Sequence, residues 1–120
     1  MANVIAWFEI PVADMFRAKA FYHAVLGSTF DENPQMEGLA FFHVDGGGVG
    51  GHLQAGDGTP SDHGPLIYLD PPAGVTVALG KVEAAGGNVL QPSTPVGSSG
   101  YIGILLDTEG NRVGLYSGIV

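Results

Sequence analysis

LLDTEGNRVGLYS, residues Leu105–Ser117, reads as a strand, a tight polar turn and a second strand. Asp107 opens the turn, and Gly110-Asn111 is a strong reverse-turn dipeptide. Gly114 then falls in mid-strand, where glycine weakens the strand and packs nothing. Either this glycine makes room for something or it stands where another residue type would do chemistry.

Working outward, the chain is written twice. Shifted by 60, WFEIPVAD (Trp7–Asp14) lies over IYLDPPAG (Ile67–Gly74), with Pro11 on Pro71 and Gly27 on Gly87. Shifted by 62, GLAFFHVD (Gly38–Asp45) lies over GYIGILLD (Gly100–Asp107). At a shift of 64, Val49-Gly50 meets Val113-Gly114, so small loop insertions account for the drift. Each half has one grammar. A strand near Val4–Ile10 ends at a proline, and a helix follows over Asp14–Leu26. Asp14 suits the N-cap and Gly27 the residue after the last turn. Ala18, Phe21, Tyr22 and Val25 form one apolar stripe. Strands near Thr29–Glu32, Leu39–Val44 and Val49–Gln54 complete the module. The second half predicts a strand at Leu66–Leu69, a helix near Val75–Ala85, and strands near Asn88–Gln91, Tyr101–Leu106 and Arg112–Ser117.

The expected architecture is α+β in one domain. Two tandem βαβββ modules, 1–54 and 65–120, are joined by a Gly/Pro linker over 55–64 and share a curved mixed sheet with a cleft. Neither half is large enough for a good core alone.

The composition narrows the function classes. The net charge is −8, with four Lys and Arg against twelve Asp and Glu, so a basic nucleic-acid footprint is missing. The acidic balance favours neutral or cationic small molecules as ligands. With no cysteine, disulfides, thiolate zinc sites and cysteine nucleophiles are excluded. No apolar run approaches the ~20 residues of a membrane helix. MANVIAWFEI carries no basic segment ahead of a hydrophobic one, so no signal peptide and a cytoplasmic home are expected.

The stretches FEIPVAD, AFYHAVLG (Ala20–Gly27) and LLDTEGNRVGLY, set in a βαβββ repeat, resemble the vicinal oxygen chelate superfamily. That superfamily includes glyoxalase I, bleomycin-resistance proteins and extradiol dioxygenases. The resemblance covers essentially the whole chain, but the fold hosts many functions. It implies a homodimer with clefts built from modules of both subunits. It also implies a metal held by the first and last strands of each module. Here those positions fall on Trp7 and Gly114, with repeat partners Ile67 and Gly50. None of the four can bind a divalent metal through its side chain. No metal and no cofactor are therefore expected, with His52 the one possible substitute.

Strand alternation places Trp7, Glu9 and Pro11 on the cleft face and Phe8, Ile10 and Val12 toward the helix. Glu9 is a carboxylate in an otherwise apolar strand, which costs free energy unless it is paired. It is either a general base or ligand anchor, or a structural acceptor for backbone amides or Arg112. His52 offers a ligand hydrogen bond or proton shuttle, or is a solvated rim residue. Tyr116 offers a stacking face or core packing, and Trp7 a stacking floor or a buried structural ring. His43 points either into the cleft or into solvent. His23 and His63 read as surface residues, GGGVGG (Gly46–Gly51) as a bulged hairpin, and PVGSSGY (Pro95–Tyr101) as a flexible hairpin tip able to close over the cleft.

Three functions follow, in order. The first is a metal-independent protein binding an aromatic or cationic small molecule through Trp7, Glu9, His43, His52 and Tyr116. The second is an enzyme: a lyase or isomerase with Glu9 as general base, or a metal enzyme using Glu9 and His52. The third is an accessory domain without chemistry.

Overall fold

The computed structural model describes residues 3–56 and 58–120, so residue 57 of the linker lies outside the described residues. The element order is β1 (Phe8–Val12), α1 (Met15–Leu26), β2 (Phe30–Asp31), β3 (Leu39–Phe42), β4 (Gly51–Ala55), β5 (Tyr68–Leu69), α2 (Val75–Leu79), β6 (Asn88–Pro95), β7 (Tyr101–Leu106) and β8 (Arg112–Ser117). Both halves are βαβββ, as the repeat predicts. Hydrogen bonding divides the strands into two four-stranded sheets, ordered β1-β4-β3-β2 and β5-β8-β7-β6. In each sheet the first strand runs parallel to the last, and the other pairs are antiparallel. No helix among the described residues is long and apolar enough to cross a membrane.

Helix α1 has the predicted ends. The Asp14 carboxylate accepts the Arg17 N–H at 3.0 Å, filling one of the free donors of the first turn. Gly27 closes the helix at φ +73°, where a side chain would be strained. Ala18, Phe21, Tyr22 and Val25 are buried as one stripe. Helix α2 is shorter than the predicted Val75–Ala85. It lacks a side-chain cap, and regular helix ends before Gly80. Tight turns then run on to Gly86, with Lys81 N–H reaching Ala78 and Val82 N–H reaching Leu79. Glycine is a poor residue for a helix interior, which explains the early stop. The N–H groups of Val75 and Thr76 are capped by the carbonyls of Ile119 and Val120.

One core joins the halves. Ile10, Phe21, Tyr22 and Leu53 from the first module cluster with Val75, Val82, Leu105 and Leu115 from the second. The alternation predicted for β1 holds: Ile10 and Val12 are buried while Glu9 is exposed.

A polar seam fixes how the modules meet. The Tyr22 hydroxyl donates to Asp107 Oδ2 at 2.6 Å. Asp107 Oδ1 accepts the N–H groups of Glu109 and Asn111 inside its own turn. Asn111 Nδ2 donates to the Pro11 carbonyl at 2.7 Å. Glu109 accepts the N–H groups of Ala13 and Asp14 at 2.8 and 2.7 Å and is gripped by the Arg17 guanidinium. The PVAD and DTEGN stretches thus meet each other, tying the last hairpin to the start of α1.

Candidate functional site

The register decides which residues correspond between modules. Ile10 pairs with Leu53, and Leu69 pairs with Leu115. All four are buried on the helix-facing side. One residue back, on the opposite face, Glu9 pairs with His52 in the first module and Tyr68 with Gly114 in the second. The repeat partner of Gly114 is therefore His52, not Gly50. Counting back from Ile10 and Leu69, the partner of Trp7 is Leu66, not Ile67. The sequence alignment missed this because Gly50 and Ile67 sit beside loops, where a shift of one or two residues leaves no trace.

The space above Gly114 is filled. A Cβ there would lie 2.6 Å from Cδ1 of Tyr68, so the glycine makes room for that ring. A Cβ on Gly50 would lie 3.1 Å from Cζ3 of Trp7. Of the positions the resemblance assigns to a metal, the corrected set is Trp7, His52, Leu66 and Gly114, and only His52 carries a donor. Glu9 adds one carboxylate, but it is already bonded to His52. These two donors fall short of the three that catalytic zinc sites draw from the protein. Among the described residues, no group of three or more His, Cys, Asp or Glu is placed to hold a metal ion. The residues present do not fit the superfamily's metal.

What stands there is a hydrogen-bonded set on the open face of the first sheet. Glu9, His52 and Phe41 form one row across β1, β4 and β3. Trp7 Nε1 donates to His52 Nδ1 at 2.8 Å. An indole N–H can only donate, so Nδ1 is the acceptor and the ring hydrogen sits on Nε2. From there it is directed to Glu9 Oε1 and Gln54 Oε1, each at 3.1 Å. Trp7, Phe41 and His52 pack as tilted rings with centroids 5.6 to 6.1 Å apart. His52 is buried, whereas Trp7 is 49% exposed and the Glu9 side chain 48% exposed. The set presents half an indole face and a carboxylate to the outside. His52 is thus not a solvated rim residue, and Glu9 takes the imidazole rather than Arg112 as its partner.

The remaining candidates lie apart from this set. Tyr116 is on β8 and gives its hydroxyl to the Ser99 carbonyl, tying down the hairpin tip. With Tyr68 and Ile102 it lines an open groove of about 580 Å³ on the second sheet. His43 is at the sheet's rim, held between Asp31 (3.0 Å) and Asp45 (3.1 Å). Its hydrogen bonds to Asp31 and then Asp45 raise its pKa above 6.5. Phe41 and Gln54 were missed as site residues, although alternation along β3 and β4 contains the signal.

Residues 5–45, about a third of the chain, match a family described as "Bleomycin resistance protein-like N-terminal". The hypothetical protein SA1046 of S. aureus is 26% identical, covers 97% of both chains and superposes with a TM-score of 0.70. A glyoxalase/bleomycin resistance protein from Albidiferax ferrireducens, 17% identical, covers 95% of this chain and 98% of its own, with a TM-score of 0.74. The "Putative glyoxylase CFP32" of Mycobacterium bovis is 27% identical over 117 residues, or 92% of this chain. This chain spans 44% of that relative's length. The chain has the fold of the glyoxalase/bleomycin resistance/dioxygenase proteins, the vicinal oxygen chelate group, and its N-terminal third is similar to theirs in sequence.

Proposed function

We propose that the protein binds a small aromatic or cationic molecule, without a metal, on the face made by Trp7, Glu9 and His52. The observation that carries this is the Trp7–His52–Glu9 chain of hydrogen bonds, which fixes a half-exposed indole beside a half-exposed carboxylate. An indole face attracts flat and cationic groups, and the carboxylate supplies the countercharge. The net charge of −8 favours approach of cations. His43 and Tyr116 serve as outlying contacts in this reading. A homodimer that sets the second sheet of one copy beside the first sheet of another would bring Tyr116 to the same ligand.

Trp7 is the sole tryptophan, so its emission reports the site. Titration with phenethylamine and larger aryl-ammonium compounds should change that emission saturably. Glu9→Gln should weaken binding about tenfold, ~1.4 kcal/mol. Binding indifferent to Glu9→Gln and His52→Ala would overturn the assignment.

A second reading has its own observation. His52 Nε2–H holds Glu9 by one oxygen and leaves the other open, the arrangement of an oriented general base. The CFP32 relative is named as a glyoxylase, which makes isomerase or lyase turnover the reaction class to test. Turnover that disappears in Glu9→Gln while binding survives would establish this second reading over pure binding.

A further inference from the structure

A second cleft lies at the module seam, beneath the linker, and has a volume of about 270 Å³. Glu9 and Arg112 both line it, and so do Ser61, His63, Ile67 and Val113. The two opposite charges share this space without meeting. Glu9 is hydrogen-bonded to His52 instead, and among the described residues no ion pair joins Glu9 to Arg112.

The cleft is built from fixed parts. Ser61 N–H donates to Asn111 Oδ1 at 3.0 Å, and Ser61 Oγ accepts the His63 N–H at 3.0 Å. Asn111 is itself held by Pro11 and Asp107, so the roof is pinned to the buried seam. Val113 is 3% exposed and Ile67 packs against the core, giving an apolar floor.

We propose that this cleft binds a small zwitterion: an α-amino acid with an aliphatic side chain, or a molecule with the same ammonium–carboxylate pair. A guanidinium fork matches a carboxylate in two parallel hydrogen bonds. Glu9 Oε1 is taken by His52, and its second oxygen is the acceptor for an ammonium. A plain anion would leave Glu9 unanswered, and a plain cation would face Arg112. A ligand carrying one charge of each sign answers both, with its side chain on Ile67 and Val113. This site shares Glu9 with the Trp7–His52 face, and its other lining residues, Arg112, Ser61, His63, Ile67 and Val113, are its own.

The test is a ¹H–¹⁵N correlation titration of the full chain with L-leucine. Isoamylamine and 4-methylpentanoate serve as the probes lacking the carboxylate and the amine. Leucine should give saturable shifts at the amides of Ser61, His63 and Arg112. Each one-charge probe should bind at least about tenfold more weakly. Arg112→Gln should weaken leucine binding by a similar factor, and Arg112→Lys, which keeps the charge and loses the fork, by less. Trp7→Phe, which leaves Glu9 and the cleft lining in place, should keep the leucine shifts at Ser61 and Arg112 while weakening aryl-ammonium binding measured by calorimetry. This separates the two sites. No saturable shift with millimolar leucine would overturn the proposal. So would equal binding of 4-methylpentanoate, or full binding by folded Arg112→Gln.

Discussion

Gly114 and Gly51 each lie under an aromatic ring, on opposite faces of their sheets. Tyr68 covers Gly114 on the outer face, where that ring is half exposed. Phe8 covers Gly51 on the inner face and packs at a tilt against Phe42 with centroids 5.5 Å apart. An added methyl is resolved differently in the two cases. Tyr68 can swing outward, so Gly114→Ala should cost at most about 1 kcal/mol, while trapped Phe8 should make Gly51→Ala cost about 2–3 kcal/mol. Urea unfolding of the two variants checks the order. The sequence raised the question of Gly114 but could not answer it, because the covering ring is 46 residues earlier in the chain and joins it only through the parallel pairing of β5 with β8. His43 gives a second prediction at this scale. Its carboxylate neighbours favour the imidazolium, so its carbon-bound protons should titrate with a midpoint above 6.5. Asp31→Asn with Asp45→Asn should bring the midpoint down.

The DTEGN turn acts as an element in its own right. Burial would raise the Glu109 pKa, but the hydrogen bonds from Arg17, the Asp14 and Ala13 amides and Thr108 prevail and hold it at about 2. The folded value is below the unfolded one, near 4.5. Its stabilisation is therefore complete above about pH 4.5 and is lost as the pH falls toward 2. Glu109→Gln should destabilise by about 2 kcal/mol at neutral pH, and the gap from the parent should close on acidification. Tyr22 behaves oppositely. Burial, then the Asp107 charge and its hydrogen bond, raise its pKa well above 10. A raised tyrosine stabilises below pH 10 and loses that contribution as the pH climbs, so Tyr22→Phe should flatten the alkaline limb of a stability profile. The sequence predicted helix α1 to within a residue, with both caps, because those signals are local: Asp14, Gly27 and a period of 3.6. It overran α2 because Gly80 interrupts an otherwise unbroken apolar stripe of Val75, Leu79 and Val82. The partnership of Glu109 with the start of α1 carried no sequence signal, since its two halves are 92 to 96 residues apart.

At the scale of the whole molecule, two modules share one core and one polar seam, so they should unfold together. Asn111→Ala removes the bonds to Pro11 and Ser61 at once. It should lower the midpoint of a single calorimetric transition rather than split it in two. The βαβββ repeat was legible because each module is locally complete, with its own helix signals and strand alternation. The identity of the site was legible only in part. Trp7, Glu9 and His52 were visible as odd residues on one face, but their bonding order, and the match of His52 to Gly114, exist only once β1 lies against β4. The central claim is that two of the positions the resemblance assigns to a metal, Trp7 and His52, are engaged instead in a hydrogen-bonded set with Glu9. Native mass spectrometry of the intact protein, incubated with zinc or nickel and then challenged with a chelator, tests it most directly. The account predicts a mass corresponding to chains without a retained ion, unchanged in His52→Ala. One ion retained per chain, and lost in His52→Ala, would contradict it.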